Sequence, residues 1–162
     1  FAGRPGPFVA ELSDRQDEGR VRYLGMLPHS ETLARMASAD VNVILLPNLP
    51  GSATDTTAKI YECLGSGQAI LAAVPTHGAA AKELRGFDGV WVCDPDDPST
   101  MAKAMADMYR RWLSGDLHTR RSPSQLHKMT RPYQAKLLAD HLNATVGRHR
   151  RDACATAGVS NR

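Results

Sequence analysis

The sequence predicts an α/β fold in which a doubly wound parallel sheet carries helices on both faces. Two observations lead there. Short apolar runs alternate with helix-like segments along most of the chain, the pattern of successive β-α-β units. The run from Val41 to Leu46 is almost continuously apolar, as expected of a central parallel strand covered on both sides.

Taken in order, Phe1-Ala2 reads as the end of a strand, with the expectation that the natural chain extends upstream. Phe8 to Glu18 suits a short helix, with Phe8, Val9 and Leu12 on one side, and Val21 to Leu24 is a short strand closed by Gly25. A helix follows His29, with Ser30 as N-cap, Glu31 near its positive end and Leu33, Met36 and Ala37 as its apolar stripe. After the Val41–Leu46 strand, Pro47, Pro50 and Gly51 impose a loop. Thr54-Asp55-Thr56-Thr57 offers several N-caps for a helix over Ala58 to Leu64, which Gly65 and Gly67 stop. Ala69 to Val74 is the next strand, Gly78 to Leu84 a short helix and Gly89 to Cys93 another strand. An acidic turn, Asp94 to Pro98, leads to a longer helix capped by Ser99 or Thr100, whose stripe is Met101, Met105, Met108, Tyr109 and Trp112, read as core packing. Ser122-Pro123 opens a further helical piece, Pro132 breaks or restarts it, and Tyr133, Leu137, Leu138 and Leu142 form one more stripe. The expected organisation is a main domain over 1–116, trailing helices over 117–146 and a disordered basic tail over 147–162.

Composition narrows the function classes. The 162 residues suit one main domain, and the hydrophobic fraction of 42% is enough for a substantial core. The net charge is +3, with basic residues gathered toward the C-terminus. A mobile tail, or a surface that meets anionic lipid or an acidic partner, fits that excess, and no motif or stacking aromatics point to nucleic acid. Of the three cysteines, Cys63 and Cys93 sit in apolar runs and read as core residues, which suits a reducing, cytoplasmic location. No apolar run approaches the ~18 residues of a membrane span.

In doubly wound folds ligands sit beyond the carboxyl ends of the strands, so the loop after Val41–Leu46 is the first candidate site. The helix that follows it begins with Lys59 and Glu62, three residues apart and so on one face. A helix N-terminus favours phosphate through its free N–H groups and partial positive charge, and Lys59 adds a full charge. An ionised Glu62 can accept two hydrogen bonds from a diol. The same spacing also fits an ordinary solvated Lys–Glu pair.

Lys59-Ile60-Tyr61-Glu62-Cys63-Leu64-Gly65-Ser66-Gly67-Gln68-Ala69-Ile70-Leu71 resembles the signature helix-turn-strand of glycosyltransferases with two Rossmann-like domains (GT-B type). Val21-Arg22-Tyr23-Leu24-Gly25, the segment Met26 to Glu31, Ala39-Asp40-Val41 and the pair Gly89–Val92 and Asp94–Asp97 are similar to family segments in the same order. The resemblance covers about residues 1 to 113, with a weaker match from Arg131 to Leu142. It implies a Rossmann-like domain that binds a UDP- or GDP-sugar, with Glu62 on the ribose hydroxyls and Lys59 near the diphosphate or sugar. The loop Gly25 to Leu27 would lie near the base, and Asp55, Thr56 and Thr57 would complete the donor site. It further implies a partner N-terminal acceptor domain, no metal and no cofactor besides the donor. The basic tail leaves peripheral association with the inner face of the membrane open beside a plain cytoplasmic location, as would suit a lipid-linked acceptor. One departure stands out: where many retaining members carry a second glutamate, this chain has Thr54, next to Asp55. A nucleotide-sugar epimerase of the same fold and a non-catalytic binding module remain open at this point.

Overall fold

In the computed structural model, residues 1–4, 6, 21–117 and 121–157 are described, the last eleven of these by backbone alone. The chain divides into two compact units, Phe1–Arg120 and Arg121–Arg162. The first is α/β. Three strands, β1 (Val41–Leu45), β2 (Ala69–Ala73) and β3 (Val90–Cys93), pair in parallel in the order β1-β2-β3. Val41 stands opposite Ala69 and Ile70 opposite Val90. Helices flank the sheet: α1 (His29–Ser38), α2 (Ala58–Ser66), α3 (Ala79–Leu84) and α4 (Pro98–Ser114), with a 3-10 turn at Ser52–Thr54. The expected helix over Phe8–Glu18 lies outside the described residues. Val21–Leu24 is not a regular strand, yet its backbone pairs with the start of the chain. Leu24 N–H donates to the Phe1 carbonyl at 2.7 Å, and Gly3 N–H to that of Gly25 at 2.8 Å.

Every residue of β2 is buried. Because side chains alternate along a strand, both of its faces are therefore covered. Ala69, Leu71 and Ala73 share a core with Cys93, Met108 and Leu117, against which Met101 and Ala104 of α4 also pack. Ile70 and Ala72 point the other way and are fully buried. Ile60 and Leu64 of α2 and Leu84 of α3 are likewise sealed from water. Cys63 and Cys93 are buried thiols outside any disulfide, as their apolar surroundings predict, and burial pushes the Cys93 thiol pKa up, with the Asp94 and Asp97 charges adding to the effect.

Several local expectations need correction. β1 is not covered on both faces: Asn42 and Ile44 are buried, while Val43 and Leu45 are exposed at 52% and 61%. α1 begins at His29 with Pro28 as N-cap, so Ser30 sits inside its first turn, and none of its residues is buried. It is held mainly at its end, where Asn42 and Gln68 side-chain amides donate to the Met36 and Ala37 carbonyls that the helix leaves unpaired. α2 runs to Ser66; Gly67, with φ of 80°, is its left-handed stop, and Gly65 lies within the helix. The cap of α4 is Asp97, which accepts from Ser99 N–H at 2.9 Å and Thr100 N–H at 3.3 Å. Pro98 occupies the first helical position, where its fixed φ suits the helix and its missing N–H costs nothing. Of the α4 stripe, Met108 is buried and Met101 half-buried; Met105, Tyr109 and Trp112 are exposed.

The second unit holds α5 (Pro123–His127) and α6 (Arg131–Ala157). Ser122 and Pro123 start α5 as the sequence suggests, and Pro132 restarts the chain as α6. The helix continues past residue 146, through the basic stretch, to Ala157. Ala153, Ala155 and Ala157 favour that continuation, since alanine is the strongest helix former.

Candidate functional site

In a parallel sheet all strands end on one side, so the loops after β1, β2 and β3 leave together. Side chains and backbone tie these loops to one another. Asn48 Nδ2, beyond β1, donates to Asp94 Oδ1 at 2.9 Å and Asp96 Oδ2 at 2.8 Å, beyond β3. Ser52, nearly buried, closes the first loop on itself by donating to the Leu49 carbonyl at 2.8 Å and accepting from Leu49 N–H at 3.1 Å. Gly78, beyond β2, lies so close to Ala53 that a Cβ there would be 3.0 Å from the Ala53 carbonyl oxygen. The chain approaching α2 is thus fixed at Asn48, Ser52 and Ala53.

From that anchored loop the chain enters α2. Thr54 turns its hydroxyl back to the Gly51 carbonyl at 2.9 Å, so its side chain is spent on a local turn. Asp55 is exposed and extended. Thr57 is the N-cap of α2, but its side chain makes no capping bond, and its Oγ1 is buried without a hydrogen-bond partner. Ile60 N–H reaches the Thr57 carbonyl at 3.1 Å. An uncapped helix start keeps its first N–H groups available and presents about half a positive charge. Lys59 is exposed and Glu62 half-buried, and among the described residues neither forms an ion pair or a hydrogen bond. The ordinary Lys–Glu pair that the spacing also allowed is therefore not made.

The next turn of α2 is tied to α3. Tyr61 donates its hydroxyl to Glu83 Oε1 at 3.0 Å, and Glu83 Oε2 is buried without a partner. Burial raises the Tyr61 phenol pKa first, the Glu83 hydrogen bond and charge raise it further, and the Thr56 hydroxyl pulls the other way. Thr56 is thereby placed beside Tyr61, at the start of the helix.

Of the sequence-selected residues, Asp55, Thr56, Thr57, Lys59 and Glu62 come together in this one segment. Gly25 and Leu27 lie on the loop before α1. Gly25, at φ of 66°, accepts from Gly3. Among the described residues, no hydrogen bond joins Gly25 or Leu27 to the α2 segment. Sequence reasoning missed Asn48, Gly78 and Glu83. The acidic turn at Asp94–Asp97 was a usable sign for the first, since paired carboxylates at a strand end attract an amide donor. An apolar groove of about 430 Å³ lies elsewhere, toward the start of β1, lined by Val41, Val43, Leu71, Met105, Tyr109 and Trp112. No family model and no curated protein matches the chain.

Proposed function

We propose that this chain is the donor-binding domain of a glycosyltransferase, a doubly wound Rossmann-like unit with helices on both faces of its sheet. It takes a nucleoside-diphosphate sugar, of UDP or GDP type, and presents it for transfer to an acceptor hydroxyl, a reaction completed by a separate acceptor domain. One observation carries the reading. The uncapped start of α2, with Lys59 and Glu62 free of partners and the Thr57 hydroxyl unmet among the described residues, stands at the end of the sheet where the strand loops converge.

Each part then has a chemical task. The α2 N–H groups and the Lys59 ammonium hold the diphosphate and stabilise the negative charge it gains as the sugar leaves. The Thr57 hydroxyl donates to a phosphate oxygen, which meets its hydrogen-bonding capacity. Glu62 accepts from the two ribose hydroxyls. Fixing the donor in this way lowers the barrier by positioning rather than by covalent chemistry.

Calorimetric titration with UDP, GDP and ADP tests the reading, repeated on Glu62→Ala. One nucleoside diphosphate binds, and its affinity falls about tenfold or more in the variant, because a charged hydrogen bond is worth roughly 1.5–3 kcal/mol. Binding that Glu62→Ala leaves unchanged removes the ribose contact, and no binding by any nucleotide removes the function.

A further inference from the structure

β1 pairs with β2 along one side, and among the described residues no strand pairs with it along the other. Leu46 N–H donates to the Ala73 carbonyl at 2.9 Å. Backbone groups alternate sides along a strand, so those of Asn42 and Ile44 also face β2, and those of Val41, Val43 and Leu45 point outward. Among the described residues no hydrogen bond meets that outward row. The same three residues turn their side chains to one face of the sheet. There Val41 and Val43 line the apolar groove of about 430 Å³ together with Met105, Tyr109 and Trp112 of α4. These three α4 side chains are exposed at 57%, 60% and 49%. A backbone row outside any ladder and uncovered apolar side chains thus coincide, all within the first compact unit.

We propose that a second copy of the chain docks on this face, β1 against β1, in an antiparallel register centred on Val43. The arrangement is self-complementary, as a two-fold interface must be. Val43 stands opposite Val43 of the second copy, and Val41 opposite Leu45, in the pairs that exchange both backbone hydrogen bonds. The outward row is then met in full on both chains, and two three-stranded sheets join as one of six. Residues directly opposite in an antiparallel pair share a face, so the two grooves become continuous across the junction. Val43, Leu45, Met105, Tyr109 and Trp112 are each roughly half exposed. At about 100 Å² apiece in both copies they supply about 1,000 Å², the area a specific interface needs. Charge does not oppose the pairing. Asp40, which also lines the groove, falls opposite Leu46 of the second copy. The two Asp40 carboxylates therefore stand about 20 Å apart, beyond the Debye length in physiological salt. Asp40 does not call for a basic partner either, since it accepts from Trp112 Nε1 at 3.3 Å. A lipid surface is disfavoured because its acyl chains offer nothing to a row of backbone amides and carbonyls. A second copy is favoured over another protein's strand because β1 matches itself throughout, apolar opposite apolar and without a proline.

Sedimentation equilibrium of the full chain tests the pairing. The 17.6 kDa chain sediments as a dimer that dissociates on dilution. Val43→Lys sets like charges opposite one another at the centre of the register and raises the dissociation constant about tenfold or more. Met105→Lys, on the helical side of the groove, does the same without altering β1, and it decides the matter if circular dichroism shows the Val43 variant unfolded. Leu138→Gln with Leu142→Gln, at exposed leucines of α6, leaves the constant unchanged. The register has its own readout, taken in a Cys154→Ala background with Cys63 and Cys93 buried. Val43→Cys brings two thiols together on Cα atoms about 5.5 Å apart, so mild oxidation links the copies through a disulfide. Leu45→Cys, about 13 Å from its counterpart, does not link them. A monomer at every concentration, or a dimer that the folded lysine variants leave intact, overturns the proposal. So does a dimer lost with the Leu138 and Leu142 changes, or cross-linking through Leu45→Cys and not through Val43→Cys.

Discussion

Replacing Gly78 by alanine tests whether the strand loops are packed as tightly as the structure has them. Gly78 has ordinary extended dihedrals, φ of −78° and ψ of 172°, so alanine meets no backbone strain there. What it meets is other backbone: the new Cβ would lie 3.0 Å from the Ala53 oxygen, 3.1 Å from the Pro75 oxygen and 3.3 Å from the Ala53 Cα. None of these atoms can rotate away, so the loop around Ala53 must shift by a few tenths of an ångström. Overpacking of this kind costs about 1–3 kcal/mol, and the stiffer unfolded chain offsets about 0.4–1 kcal/mol of it. The net expectation is a loss of about 1–2 kcal/mol in urea unfolding followed by circular dichroism, with an unchanged m value. Gly65→Ala is the counterpart. Gly65 lies within α2 with nothing near its absent Cβ, so the same chemical change should stabilise by about 0.5–1 kcal/mol. Because Ala53 precedes Asp55 by two residues, Gly78→Ala should also weaken the proposed nucleotide binding, and Gly65→Ala should not. A Gly78→Ala protein as stable as its parent would refute the close approach, and with it the claim that the loops set the geometry of the α2 start.

Three further expectations follow from the same structure. Leu64→Ala, at a side chain 1% exposed, should cost about 2–5 kcal/mol in urea unfolding, whereas Val43→Thr on the open face of β1 should stay within about 0.5 kcal/mol. Asn48→Ala frees the Asp94 and Asp96 carboxylates, so amide exchange in residues 46–57 should quicken while global stability falls by under about 1 kcal/mol; unchanged exchange would show that the bridge does not order the loop. The Asp97 carboxyl pKa is held below the usual aspartate value, mainly by the Ser99 hydroxyl and N–H, which outweigh an opposing effect of desolvation, with Thr100 N–H and the Lys103 charge adding less. A lowered folded-state pKa means stability that is complete above about pH 4 and is lost as pH falls through the folded value. Asp97→Asn keeps the capping acceptor but cannot titrate, so urea midpoints measured from neutral pH down to about pH 3 should fall less steeply than in the parent.

The parts legible in the sequence were those fixed by local chemistry. Gly67 announced the end of α2 because a left-handed stop costs glycine nothing, and Ser122-Pro123 announced α5. Cys63, Cys93 and the β2 run read as core and are buried. The parts that were hidden depend on neighbours. Periodicity marks which face of α4 is apolar, but it does not say how much sheet lies beneath, so Met108 is covered and Met105 is not. The composition of β1 matches a strand covered on both faces, and only tertiary packing leaves Val43 and Leu45 in water. At the start of α4, Ser99, Thr100 and Asp97 are all good caps, and it is Pro98 at the first helical position that selects Asp97. At the candidate site, Lys59 and Glu62 could be chosen from the text. The bridging Asn48 and the close contact of Gly78 are long-range facts, joining segments that spacing along the chain cannot connect.

The half-open face of β1 bears on how the protein behaves in concentrated solution. β1 hydrogen-bonds to β2 along one side, and among the described residues no ladder runs along the other. Among the described residues, a strand in that position has a row of amide and carbonyl groups outside any ladder, next to the exposed Val43 and Leu45 side chains, with no lysine or proline within Val41–Leu45 to discourage pairing. Among the described residues, the five residues of β1 are therefore where an added strand would find its register.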